Sequence, residues 1–423
     1  MNAAIKKTFA PLFALTGNPR AAVFTEPLWG IPFNLYAPFL TLFMFSLGLE
    51  DADIGILLSV GLVVQMLSGI IGGVLIDKYG RRKTMLVGDF ISWAIPCLIW
   101  AFSRDFQWFL VAAIFHGMFP PSASAWECML VEDAKPEKII ELFNWVYIAG
   151  MIAVFFAPIT GIFIGVFTLV PVMRVLFIIS TIMMSAKFFT HYYFSKETRQ
   201  GEIRMKETAG VPIRTLLLEY ANVLIHIFKT PATIRILVLI VFLHIQQIIA
   251  GNFFSLYVTQ DLQLPEQYLA WFPVLRGVIM LCFFLFFQRI LSKFSIYSVM
   301  LAGLIIYIIA YVLLIFAPVG MLFPLLIFTA VDACAAALFL PRRDTLVIHN
   351  VDPAERARIR SLMMVIMLGV ASPFGFIIGQ ISGMNRQIPF IICLGLFALI
   401  ALIVLIERRH ARVRVAPHGR GGA

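Results

Sequence analysis

From Gly30 to Ile406 the chain repeats one pattern: an apolar stretch of about 20 residues, a short charged, glycine or proline connection, and another apolar stretch. A helix rises about 1.5 Å per residue, so a stretch of that length crosses the roughly 30 Å hydrocarbon layer of a bilayer. Twelve such spans are expected, at 28–48, 54–76, 84–102, 106–130, 140–163, 170–193, 234–258, 268–290, 296–316, 320–341, 360–382 and 388–407. No water reaches backbone groups in that layer, so each span must close its hydrogen bonds within itself, as a helix does. The expected fold class is an all-α membrane protein of twelve transmembrane helices arranged as two six-helix bundles.

Composition agrees. The chain is 61% hydrophobic and only 13% charged, where a soluble domain is nearer half apolar and a quarter charged. Its 40 phenylalanines exceed what an aqueous fold of 423 residues could hide. Cys97, Cys128, Cys282, Cys334 and Cys393 all fall in apolar segments without CxxC or Cys/His spacing. They read as small packing residues, so neither metal, disulfide nor cofactor is implied. The opening segment carries Lys6 and Lys7, but "TFAPLFALTGNPR" is broken by two prolines and a glycine. It reads as a short amphipathic element on the inner surface, not as a secretory signal.

Charge sets the orientation. With both termini cytoplasmic, only Arg104, Arg174, Arg276 and Arg386 of the 33 Lys and Arg fall outside the inner connections and tails. Outer connections are short and acidic, as in "LEDAD" at 49–53. This positive-inside bias sets that orientation, and the expected location is the plasma (cytoplasmic) membrane. It also accounts for the net charge of +10 through attraction to an anionic leaflet, without nucleic acid. The expected layout is a cytoplasmic segment 1–27, a first bundle 28–194, a linker 195–233, a second bundle 234–407 and a basic tail 408–423. Within the linker, Leu216, Tyr220, Val223 and Ile227 recur at helical spacing and suggest a helix lying along the membrane surface.

The halves echo each other. "EDAKPEKI" at 132–139 follows span 4 and "NVDPAERARI" at 350–359 follows span 10, with Asp133 and Asp352 219 residues apart. "DKYGRRK" follows span 2 and "QRILSKFS" follows span 8. Paired six-helix repeats point to a transporter whose site lies near the bilayer midplane.

The stretch 73–83, "GVLIDKYGRRK", resembles the signature loop between helices 2 and 3 of the major facilitator superfamily. That resemblance, with twelve spans in a six-plus-six layout, covers nearly the whole chain. It implies a gate built from Gly73, Asp77, Gly80, Arg81 and Arg82. Asp77 would face the start of helix 11, near Arg360–Ser361, and Arg81 would pair with a carboxylate at the inner end of helix 4. Glu127 and Glu132 are both available, and for Glu127 pairing with Arg81 is favoured over a protonatable site. The second-half copy is degenerate, with Gln288 and Leu291 in place of the acid and the second glycine. Helix 4 has His116-Gly117 where many proton-coupled members carry an arginine. "AVFFAPITGI" at 153–162 is too weak a match to the antiporter pattern to imply export.

In that family helices 1, 4, 7 and 10 surround the cavity, and polar groups inside spans are site candidates because lipid makes them costly. Helix 1 offers Asn34 and Tyr36 among Pro27, Pro32 and Pro38, with Glu26 near the inner surface as a gate or cap residue. Helix 4 aligns His116, Phe119, Ala123 and either Trp126 or Glu127. Helix 7 offers His244 and Gln247 on one face, with Gly251 a turn further along and Asn252 slightly rotated. Arg276 and Asp332 either pair or leave Asp332 to carry a proton, and Asp89 reads as part of the gate network.

The function expected is secondary active transport of a small organic solute by alternating access in a monomer. Protons are the expected coupling ion, through Asp332, His244 or Glu127, because no nucleotide-binding loop is present. Efflux of amphipathic drugs or lipids is one alternative, and a non-transporting receptor or partner subunit is another. An enzyme is not expected, since no span clusters histidines or carboxylates at metal or acid–base spacing.

Overall fold

The computed structural model describes residues 10, 12–135, 138–217, 231–291, 293–349 and 356–415. These residues are helical with short connections and contain no β-strand. The helices are α1 (Gly17–Ser46), α2 (Asp51–Tyr79), α3 (Arg81–Phe102), α4 (Phe106–His116 continued by Pro120–Val131), α5 (Ile139–Val154 continued by Ala157–Phe167) and α6 (Leu169–Phe194). After α7 (Arg199–Glu207) come α8 (Pro231–Asn252), α9 (Trp271–Leu291), α10 (Ile296–Ile315), α11 (Leu322–His349), α12 (Arg356–Met384) and α13 (Ile388–Val415).

Among the described residues, ten helices are long and apolar enough to cross a membrane. Large side chains such as Ile162, Phe163, Val166 and Phe167 of α5 lie exposed side by side. Water would not tolerate apolar patches of that extent, whereas lipid does. The protein is a multi-pass integral membrane protein.

Proline and glycine set the irregularities. Pro120 and Pro121 lack N–H groups, and α4 breaks before them at Gly117–Phe119. Pro38 sits in a tight 3₁₀ turn at Ala37–Phe39 that divides α1. α1 begins at Gly17, earlier than the pattern suggested, and Ala21, Ala22 and Val23 are buried in it. Residues 17–27 are therefore the first turns of a packed helix, not a surface element. The polar start of the linker is the helix α7, which the sequence reading left without structure. Tyr220, Val223 and Ile227 of the expected surface helix lie outside the described residues, as does Asp352.

Contacts divide the chain into two compact units, residues 1–49 with 57–221 and residues 50–56 with 222–423. The first has an aromatic core in which Tyr36, Trp100 and Phe177 meet at 5.4–5.8 Å between ring centroids. In the second, Tyr307 stacks on Phe397 at 4.7 Å, tying α10 to α13. Residues 50–56 join the second unit through tight packing: a Cβ on Gly55 would lie 2.6 Å from the Gly375 carbonyl oxygen and 2.8 Å from Gly379 Cα. Beside it the buried Asp51 accepts from Ser382 Oγ at 2.6 Å and from Arg386 at 2.9 and 3.1 Å. Arg386 also donates to Asp261 at 3.2 Å.

Candidate functional site

The loop between α2 and α3 is the most heavily bonded stretch of the first unit. Gly80 adopts φ 85° and ψ 161°, a backbone region open essentially to glycine alone. That turn aims the first N–H groups of α3 at Glu197, whose two oxygens accept from Arg81 N at 3.0 Å and Arg82 N at 3.1 Å. A carboxylate at a helix N-terminus is favoured by the unpaired N–H groups and the helix dipole. Arg81 is buried and donates to Glu132 at 3.1 Å and to Asp77 at 3.4 Å. Its partner is thus Glu132, not the favoured Glu127, which is exposed. Five residues separate the two, and at about 100° per residue they point in quite different directions.

α7 closes the network. Arg204 donates to Asp77 at 2.8 Å, and Thr208 Oγ1 donates to the Asp77 carbonyl at 3.1 Å. The bond to Asp77 raises the already high pKa of Arg204 further. Thr198 caps α7 by accepting from Gly201 N at 2.9 Å and donates to Glu132 at 2.6 Å. Arg82 donates to the Tyr192 carbonyl at 2.7 and 3.0 Å and lies over the Tyr192 ring. Inside this unit Asp77 is therefore engaged by Arg204. The side chains of Arg360 and Ser361 lie outside the described residues. At Gly72, next to Gly73, α2 lies so close to α4 that a Cβ would stand 3.2 Å from Pro121. Thr198 as an N-cap residue was a legible helix-start signal; the pairing with Asp77 was not.

Other first-unit candidates are absorbed by packing. Asn34 donates to the Gly30 carbonyl of its own helix at 2.7 Å. Tyr36, 1% exposed, lies in the aromatic core and lines no route. Its expected role is corrected, because a ring enclosed by Phe33, Trp100 and Phe177 reaches no solute. His116 Nδ1 lies 2.9 Å from the Ser92 carbonyl, which fixes that nitrogen as the protonated one, and the ring packs against Trp93 and Trp100. Trp126 is different: its Nε1 is buried without a partner. Near it Lys187, which the sequence reading passed over, forms a buried ion pair with Glu26 at 3.0 Å. A lone lysine within the apolar stretch 169–194 was the signal that could have found it.

In the second unit the buried polar group of α8 is Gln246, which donates to Tyr311 Oη at 2.6 Å. Gln247 is exposed beside the His244 ring, whose Nε2 is buried without a partner. Asn252 donates to the Ile248 carbonyl of its own helix at 2.9 Å. Arg276 and Asp332 form an ion pair between α9 and α11, with Tyr307 lying against the arginine. Asp332 is buried. No group of three or more metal-ligating side chains forms among the described residues.

The family model described as "MFS_1 like family" matches residues 33–392. The multi-drug resistance efflux pump PmrA of Streptococcus pneumoniae is 27% identical over 229 residues, covering 52% of this chain and 54% of that protein. The uncharacterized MFS-type transporter YqjV of Bacillus subtilis is 28% identical over 138 residues, covering 31% and 32%. The matched region thus spans about half the length of the first of these relatives and less of the other. The fold is similar to the crystal structure of nucleoside transporter NupG (TM-score 0.69, 16% identity, covering 92% of this chain and 98% of that one). It is also similar to peptide transporter POT in complex with sulfate (TM-score 0.68, 15% identity, covering 93% and 94%).

Proposed function

The chain belongs to the MFS_1 like family, and on that premise we propose that it is a secondary active transporter. It moves a small organic solute across the plasma membrane by alternating access between two six-helix halves, with both termini cytoplasmic. The observation that carries this reading is the buried Asp332, inside a membrane-length apolar helix of the second unit, paired with Arg276 of the neighbouring helix α9. A buried ion pair is often no better for stability than apolar residues of the same volume. Ionisable groups at that depth mark solute or ion pathways. Asp332 is the proton-carrying residue, and Arg276 its counter-charge and solute anchor. Proton-driven flux into proteoliposomes tests this: Asp332→Asn should abolish dependence on an imposed pH gradient while solute exchange persists. Flux in the wild type that ignores the gradient would refute the coupling.

Similarity to an efflux pump over 229 residues supports a second reading, outward transport of amphipathic compounds. Efflux predicts a resistance phenotype on expression, and uptake predicts accumulation of one defined solute.

A further inference from the structure

The first unit holds a second set of buried charges, away from the α2–α3 loop. Glu26 on α1, Asp89 on α3 and Lys187 on α6 are 8%, 9% and 6% exposed. Lys187 Nζ lies 3.0 Å from Glu26 and within 6 Å of the rings of Trp29 (5.4 Å) and Trp126 (5.9 Å). Asp89 on α3 is brought against α6 and α4 through its chain neighbours: Phe90 packs on Phe188, next to Lys187, at 5.5 Å between ring centroids, and a Cβ on Gly88 would lie 2.8 Å from Ser122 Cβ. One turn beyond Lys187, His191 is 1% exposed and its Nε2 has no partner. Trp126 Nε1, from α4, is likewise buried and unpartnered.

Two acids against one base leave one negative charge over. In a low-dielectric interior an unpaired charge is far costlier than a neutral acid, and a buried group neutralises instead. Glu26 already holds Lys187, and the nearby Ser122 hydroxyl donates to the Phe119 carbonyl of its own helix at 3.0 Å. The residual charge therefore falls on Asp89, whose carboxylate has no cation of its own.

We propose that Asp89 is a proton-binding site of the first unit, built with the Glu26–Lys187 pair and separate from the Asp332 site of the second. The proton adds to the Asp89 carboxylate to give the neutral acid, which leaves Glu26–Lys187 as a balanced pair. Loss of that proton creates a second carboxylate competing for Lys187. Glu26 sits where α1 meets Pro27, between the helical pieces Gly17–Thr25 and Pro27–Tyr36. A shift of Lys187 from Glu26 toward Asp89 would free α1 at that joint, so the proton state of Asp89 sets how firmly α1 is held to α6.

Infrared difference spectra of the purified full-length protein in nanodiscs, recorded across pH, read this directly, with no solute needed. The wild type should show the carbonyl stretch of a protonated buried carboxyl that disappears as pH rises. Asp89→Asn should remove that band, while Glu26→Gln and Asp332→Asn leave it. Lys187→Gln should add a second band as Glu26 takes up a proton of its own. Should Asp89→Asn fail to fold, Asp89→Glu keeps the proton and must move the band. A spectrum unaltered by Asp89 substitution, a band lost with Glu26→Gln instead, or a band replaced by a sodium requirement would each overturn the proposal. Loss of the band in Asp332→Asn alone would count against this site while leaving the transport reading intact.

Discussion

Gly80 is the position where backbone geometry and side-chain packing of the α2–α3 loop depend on one atom that is not there. Replacing it with alanine has two separable costs. At φ 85° and ψ 161° a side chain strains the backbone by about 1–3 kcal/mol. The new Cβ would also stand 2.5 Å from Glu197 Oε2, so the carboxylate must leave the two N–H groups it accepts from at 3.0 and 3.1 Å. Losing that helix-terminal carboxylate costs roughly 0.5–2 kcal/mol. Together these amount to about 1.5–5 kcal/mol. For a unit of this size each kcal/mol moves the midpoint by about 2–4 °C, so thermal unfolding in detergent should fall by roughly 3–20 °C.

A double-mutant cycle separates the two terms. In a Glu197→Ala background the new Cβ meets only Met205 Sδ at 2.9 Å, near the end of a flexible side chain that can turn aside, and Gly80→Ala should cost little beyond the backbone strain. The coupling should equal the lost cap, about 0.5–2 kcal/mol. Equal costs in both backgrounds would refute the contact with Glu197. A Gly80→Ala variant as stable as the wild type would refute the backbone geometry itself.

Four further outcomes follow from the same coordinates. Arg276→Ala leaves Asp332 buried without its cation and should destabilise by about 3–5 kcal/mol, whereas a matched apolar replacement of both residues should recover most of that; chemical denaturation distinguishes the two. Arg204→Ala removes a half-exposed pair and should cost under about 1 kcal/mol, yet proteolysis within 199–207 should quicken as α7 loses Asp77. Gly379→Val places a Cβ 2.7 Å from the Asp51 carbonyl oxygen and from Gly55 Cα; overpacking of this kind costs roughly 1–3 kcal/mol, visible as a lower thermal midpoint. Arg386→Ala strands Asp51, 2% exposed, and should cost more than Asp51→Asn, which keeps the Ser382 bond.

The helical membrane fold was legible because its cause is one-dimensional: about 20 apolar residues span a bilayer wherever they occur. The breaks were legible too, since Pro38, Pro120 and Pro121 interrupt helices through a missing N–H that any reading can see. What the sequence could not carry was the partner of each charge. Arg81 had two acids within reach along α4, and only the turn of the helix presents Glu132 and not Glu127. Gln246 and Gln247 are adjacent, and a rotation of about 100° decides which is buried against Tyr311. Arg174 and Arg386 looked like exceptions to a charge rule. In the fold Arg174 donates to the Ala101 and Ser103 carbonyls at the end of α3, and Arg386 to Asp51 and Asp261.

Polarity inside a span is a weaker sign of function than the sequence suggests, because much of it repairs the backbone. A proline at position i+4 deprives the carbonyl at i of its helical donor. Ser92 loses its donor to Pro96, and His116 supplies one from α4. Gly117 loses its donor to Pro121, and Ser68 Oγ supplies one from α2 at 3.0 Å. Leu35, beside the Pro38 turn, receives Thr160 Oγ1 from α5 at 2.8 Å. Asn34, Asn252, Ser92, Ser180 and Thr329 bond carbonyls of their own helices. Each of these side chains has a local reason to be polar. No freed carbonyl accounts for the pairs Glu26–Lys187 and Arg276–Asp332. Each joins two helices through charges whose replacement by apolar residues of equal volume is often close to neutral for stability. A fold that needed only cohesion would not retain them, and that difference, more than polarity itself, marks them as the places where an ion or a solute acts.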